Sequence, residues 1–292
     1  MQLGDGAMVG LLLAVLALTG VVFAILLVRT ARARGELGLS GEGVVLGAIT
    51  DFFDTLGIGS FAPTTAWIKL RKLVPDSHIP GVLIAGHALP TIFEGLIYIT
   101  LVTVDPVLLI ACISASVAGA LLGAPVVVKL PVRTLQVTVG IALLLAALLY
   151  AAANLDLLLA GGTALALAPM PFSAAVVGCF IIGALMTAGI GFYGPMLAMF
   201  SLLGLNPLAV FPIMAGAGAL MMPASGLRFA RSDRIDLRLV LSLAVGGIPA
   251  VLVAAYLVKS LPLEALRWLV AAVVLYTSFV MLRAASRPAT AA

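Results

Sequence analysis

Gly57-Ile58-Gly59-Ser60-Phe61-Ala62-Pro63 returns about 130 residues later as Gly189-Ile190-Gly191-Phe192-Tyr193-Gly194-Pro195. Each string interrupts an apolar run of about 30 residues, 43–72 and 174–204. Such a run is too long for one passage through a bilayer and too short for two. Glycine followed within a few residues by proline ends one helix and opens another, because Pro is tolerated in a first helical turn. Each run therefore reads as a re-entrant hairpin of two half-helices. The correspondence extends further: Ala85-Gly86 is echoed by Ala215-Gly216, Lys129 by Lys259, and Leu130-Pro131 with Leu135 by Leu261-Pro262 with Leu266. The chain is read as a duplicated unit of about 130 residues behind one extra helix.

The rest of the sequence agrees with a bilayer setting. Hydrophobic residues make up 63% of the 292 and charged residues 10%, against about 25% charged in soluble domains. That is too little charge to wet a surface, and no polar stretch is long enough for a separate soluble catalytic or DNA-binding domain. The net charge of +4 is the Lys and Arg excess of cytoplasmic loops, not a nucleic-acid footprint. Cys112 and Cys179 lie inside apolar runs and define no disulfide framework. No cofactor motif, metal motif or catalytic constellation is present, so an enzyme is not expected.

Charge sets the orientation. The first apolar run, 6–28, is followed at once by Arg29, Arg32 and Arg34, which places the N-terminus outside. Three full crossings per unit invert the second copy, and fourteen of the sixteen Lys and Arg residues then fall on the inner side. Only Lys259 and Arg267 fall outside. The expected fold is an all-α polytopic membrane protein: one extra N-terminal helix plus two inverted repeats, each a re-entrant helical hairpin and three transmembrane helices. The divisions are 1–38 for the N-terminal helix and its loop, 39–155 for the first repeat, 156–173 for an interfacial linker and 174–292 for the second repeat. The expected location is the inner (plasma) membrane with a cytoplasmic C-terminus, and a monomer and an oligomer both stay open.

At 1.5 Å per residue from Gly43, the first tip lies about 20 Å deep in a core of roughly 30 Å. The second reaches a similar depth from the opposite side, so the two tips are expected to meet. Helix N-termini present open N–H groups and partial positive charge to an anion, and glycine lets backbone approach it closely. The expected substrate-binding residues are Gly57, Gly59, Ser60, Thr64, Gly189, Gly191 and Tyr193, with Thr65 as a further hydroxyl. Four ionisable residues lie within apolar runs: Asp51 and Asp54 three apart, His87 and Glu94 seven apart. Charge at the bilayer centre costs about 3 kcal/mol or more and marks function, and a carboxyl there can exchange a proton near neutral pH. None of the four has an acidic or His counterpart in the second copy. Proton coupling is therefore assigned to Asp54 first, with Asp51, His87 and Glu94 behind it. The same four support a second reading, a divalent metal or other cation transporter, and a passive anion channel is a third.

The glycine break followed by Pro in both halves, the basic loop Arg234-Ile235-Asp236-Leu237-Arg238 and the Leu-Pro-x-x-x-Leu strings resemble the sulfite exporter TauE/SafE family of membrane permeases over roughly residues 43–283. This resemblance implies a secondary transporter of small sulfur-containing or organic anions such as sulfite or sulfoacetate. Where many members carry three or four consecutive glycines, this chain has Gly-Ile-Gly-Ser and Gly-Ile-Gly-Phe.

The inverted arrangement places positions 74 and 232 on the same side. Single cysteines introduced as Val74→Cys and Ser232→Cys are expected to react with an impermeant reagent only from the cytoplasmic face. Reaction from opposite faces would overturn the inversion.

Overall fold

A computed structural model describes residues 3–123, 131–155, 162–186 and 192–286. Among these residues the chain is helical, and its single β feature is an isolated bridge between Ala164 and Leu205. The helices are α1 (Leu3–Ala33), α2 (Gly41–Thr55), α3 (Phe61–Arg71), α4 (Ile79–Leu101), α5 (Pro106–Ala118), α6 (Val132–Asn154), α7 (Pro169–Met186), α8 (Tyr193–Leu202), α9 (Pro207–Ala230), α10 (Leu237–Ser260) and α11 (Leu263–Ser286). A 3-10 turn, Asp76–His78, leads into α4, and a π turn, Gly119–Gly123, extends α5.

Six of these helices are long and apolar enough to cross a membrane: α1, α4 with its leading turn, α7, α9, α10 and α11. The chain is thus a multi-pass membrane protein. Two details differ from the sequence expectation. The second hairpin's descending limb, α7, is 18 residues long, about 27 Å at 1.5 Å per residue, which is enough for a span. Residues 169–173, assigned to the interfacial linker, open α7, because Pro169 and Pro171 sit in a first turn that lacks intrahelical N–H acceptors.

The chain divides into two compact units. One comprises Met1–Pro106 with Ala215–Lys259, and the other Val107–Met214 with Ser260–Ala292. In the first unit, glycines let α2 and α10 touch backbone to backbone. A Cβ on Gly47 would strike the backbone of Leu243, and one on Gly246 the carbonyl of Val44. Small residues at such crossings replace the hydrophobic drive that lipid removes. The loop after α1 fastens the same region from its polar end. Arg34 Nη1 donates to the carbonyls of Ala230 (3.3 Å) and Ser232 (2.8 Å), and Glu36 Oε2 accepts from the Leu237 N–H that opens α10 (2.9 Å).

The second unit uses the same device between α5 and α7. A Cβ on Gly183 would meet the carbonyl of Ser116, and one on Gly119 the carbonyl of Phe180. Gly194 lies against Thr277 of α11, and Ser278 of α11 donates to the Gly140 carbonyl of α6 (2.7 Å). The buried Cys179 thiol is 3.8 Å from the Met196 sulfur.

Gly246→Ala is expected to lower thermal stability in detergent by about 1–3 kcal/mol, the usual cost of overpacking. Gly10→Ala, with open space around it, should be neutral or slightly stabilising, since Ala is the better helix former. Equal stability of the two variants would contradict the backbone contact.

Candidate functional site

The break in the first hairpin is built from two caps. α2 ends in a Schellman motif: the Gly57 N–H donates to the Asp54 carbonyl (2.7 Å) and the Ile58 N–H to the Phe53 carbonyl (3.1 Å). Gly57 and Gly59 adopt φ of 90° and 91°, a region that disfavours every residue with a Cβ. The spacing Gly-x-Gly is therefore demanded by backbone geometry. Among the described residues, nothing beyond its chain neighbours lies within 4 Å of a Cβ placed on Gly59, so conformation, not crowding, selects glycine there.

Ser60 then stands at the N-cap of α3, and its N–H donates to Asp54 Oδ1 at 2.8 Å. The Ser60 hydroxyl also hydrogen-bonds the Asp54 carboxyl. Asp54 thus caps α3, which the sequence reading did not foresee when it left this N-terminus open. The first intrahelical bond runs from the Thr64 N–H to the Ser60 carbonyl (3.1 Å). Between them Pro63 has no N–H, and the N–H groups of Phe61 and Ala62 precede the first intrahelical acceptor. At its base the hairpin is closed by Glu42, which accepts from Arg71 Nε (2.9 Å) and Trp67 Nε1 (3.0 Å). Those hydrogen bonds, with the arginine first, hold the Glu42 carboxyl below the usual carboxylate range.

Behind the break, α4 brings His87 against both limbs. His87 Nδ1 lies 2.6 Å from Asp51 Oδ1 of α2, and Nε2 lies 3.1 Å from Thr64 Oγ1 of α3. Asp51, His87 and Thr64 are fully buried. The Phe61 ring sits 6.0 Å from the imidazole. Asp51 Oδ2 is buried without a hydrogen-bond partner among the described residues, and it occupies the place a Cβ on Gly247 would take. Below the dyad, Tyr98 of α4 donates to the Thr55 carbonyl (2.8 Å), tying α4 to the end of α2.

Of the residues expected from sequence, Asp51, Asp54, Gly57, Gly59, Ser60, Thr64 and His87 come together in this one unit. Glu94 is fully buried two turns along α4 from His87. Thr65 is half-buried, one position on from Thr64 and so on a different face of α3. Tyr193 opens α8 in the other unit, with its ring 6.1 Å from Phe192, while Gly189 and Gly191 lie outside the described residues. Among the described residues, no three His, Cys, Asp or Glu side chains form a metal-ligand group. The sequence reading missed Gly247 and Tyr98. The adjacent pair Gly246-Gly247, separated from Pro249 by Ile248 alone within an apolar run, is the signal that could have found the first.

The family model of the sulfite exporter TauE/SafE family matches residues 171–292, which bears out the resemblance over the C-terminal part of the chain. That stretch holds α8 to α11 and all but the start of α7; the Asp51–His87 cluster precedes it. The chain is similar there to a family of membrane transporters, not of enzymes. No curated protein and no solved structure matches the chain.

Gly247→Ala inserts a methyl group where Asp51 Oδ2 now lies, so the carboxyl must turn away from His87. The far-downfield proton NMR signal expected of the 2.6 Å Nδ1 hydrogen bond should be lost in this variant. An unchanged signal would mean that Gly247 does not hold Asp51 in place.

Proposed function

We propose that the chain is a secondary transporter of small anions, sulfur-containing or organic, that binds its substrate at the break between α2 and α3 and takes up protons on the cluster beside it. One observation carries this reading: a helix broken at mid-run, with a buried carboxylate–imidazole pair bridging its two limbs, in a chain whose C-terminal part is similar to sulfite exporters. Ionisable groups in a bilayer cost too much to be kept without use. The positive end of α3 attracts an anion, while an ionised Asp54 at the same cap repels it. A proton on the cluster offsets that repulsion, so proton and anion bind together. The potential of an inside-negative membrane, about 2.3 kcal/mol per charge per 100 mV, already drives an anion outward. Proton uptake supplies what inward movement lacks.

The inverted repeat belongs to the same proposal. α2 rests on α10 within one unit, and α7 rests on α5 within the other. Exchanging the two copies turns α2 into α7 and α10 into α5, so on this reading the equivalent helix pair packs in each unit. Inverted repeats around broken helices are a recurrent plan of secondary transporters. With it go an outside N-terminus, a cytoplasmic C-terminus and the inner membrane, supported by the charge asymmetry of the loops.

Proteoliposomes loaded with sulfite or sulfoacetate are expected to show saturable flux that rises when the side of anion entry is made acidic. Asp54→Asn keeps an oxygen for the Ser60 N–H and removes the charge, so it should bind the anion more tightly at pH 7 and respond less steeply to pH. Flux no greater than in empty vesicles would remove the transport reading for these anions. Non-saturable, pH-indifferent flux would favour a passive anion channel.

A further inference from the structure

His87 spends each ring nitrogen on a different limb of the first hairpin, Nδ1 on Asp51 of α2 and Nε2 on Thr64 of α3. The 2.6 Å contact holds one proton between Nδ1 and Oδ1. While the imidazole is neutral with its proton on Nδ1, Nε2 is a lone pair. Thr64 must then donate its only hydroxyl hydrogen to the ring. A second proton has two places to go, Asp51 Oδ2 or His87 Nε2. Oδ2 has no hydrogen-bond partner among the described residues and abuts Gly247, so a proton there would point at carbon. Nε2 has the Thr64 oxygen waiting as an acceptor. The second proton goes to Nε2, the imidazolium faces the Asp51 carboxylate, and the bond to Thr64 reverses. The ring now donates, the hydroxyl accepts, and the hydroxyl hydrogen is released.

We propose that Thr64 transmits the protonation of His87 to the anion: reversal of the His87–Thr64 hydrogen bond makes the Thr64 hydroxyl a donor in the first turn of α3 only when the ring is charged. This inference rests on the reading of the hairpin break as an anion site. The turn is short of donors, since Pro63 has no N–H and Asp54 takes that of Ser60, so one added hydroxyl changes what it can hold. The Ser60 carbonyl, which already accepts the Thr64 N–H, is the competing acceptor. An anion outbids it, because hydrogen bonds to charged acceptors are about twice as strong as neutral ones. The titratable groups that act on the ring are Asp51 and Asp54 from α2, while Glu94 and Tyr98 lie two and three turns further along α4. α3 presents Phe61 and Thr64, and α10 presents Gly247 to Asp51, none of them titratable. Proton and anion binding are then cooperative, and the coupling is reciprocal.

The chain has two histidines, so His78→Gln leaves His87 as a single imidazole for 15N NMR in lipid bilayers. At high pH the ring should show the Nδ1–H tautomer, with acid adding the Nε2 proton. Sulfoacetate should raise the midpoint of that titration, and its affinity should fall about tenfold per pH unit above the midpoint, as linkage of one proton requires. In Thr64→Val the ring should still titrate while the midpoint ignores sulfoacetate, and Thr64→Ser should restore the response. A Thr64→Val midpoint that moves as in the parent overturns the inference, as does an Nε2–H tautomer at high pH. A Thr64→Ser protein that folds and transports but shows no anion response does the same. If sulfoacetate is carried by the parent yet leaves its His87 midpoint unmoved, the inference fails and the transport reading stands. If the parent neither binds nor moves any of these anions, both fall.

Discussion

A helix can stop inside hydrocarbon only if the N–H and C=O groups it leaves open find partners, since each one left unpaired costs several kcal/mol. The first hairpin meets this constraint twice within seven residues. The Schellman motif at Gly57 returns the N–H groups of Gly57 and Ile58 to the end of α2, and the Asp54 side chain reaches forward to the N–H and hydroxyl of Ser60. Asp54 therefore serves the fold and the site with one carboxyl. Its backbone carbonyl closes α2 while its side chain opens α3. Everything placed behind the break, from Asp51 to Thr64 and His87, depends on these caps holding the two limbs in register.

The first hairpin is equipped in a way that the second is not. Counting from the Gly-Ile-Gly strings, Gly183 stands where Asp51 does, Met186 for Asp54, Phe192 for Ser60 and Met196 for Thr64. Ala217 holds the place of His87. Within the second unit, Met196 meets the Cys179 thiol where Thr64 meets an imidazole in the first. On the repeat reading, a symmetric scaffold has been made chemically one-sided. One copy carries hydrogen-bonding and ionisable groups, and the other carries sulfur and methyl groups that pack.

The helical class and the first break were legible in the sequence because both are local. A Gly-x-Gly string before Pro within an apolar run has few other meanings, and the φ values of Gly57 and Gly59 supply its physical reason. That Asp51, Asp54 and His87 are ionisable residues in apolar surroundings was legible too, and the structure leaves the fourth, Glu94, two turns along α4 from His87. Their pairing was not. Asp51 and His87 are 36 positions apart, and no periodicity relates α2 to α4. The contact exists because α10 approaches with a glycine at 247, a residue with no side chain to advertise its role. The capping of α3 by Asp54 was hidden for another reason. Six residues separate Asp54 from Ser60, twice the spacing of a capping box, and only the turn at Gly57–Gly59 makes the reach short. The span-length α7 was missed because Pro169 and Pro171 read as a linker when they begin a helix.

The central claim is that anion and proton move together through the first hairpin. The most direct measurement is the pH inside proteoliposomes, followed with a trapped indicator when an inward sulfoacetate gradient is imposed at zero membrane potential. The account predicts acidification of the lumen, of matching rate and saturation, that disappears when His87 is replaced by Gln. Anion entry with no change in luminal pH would contradict it.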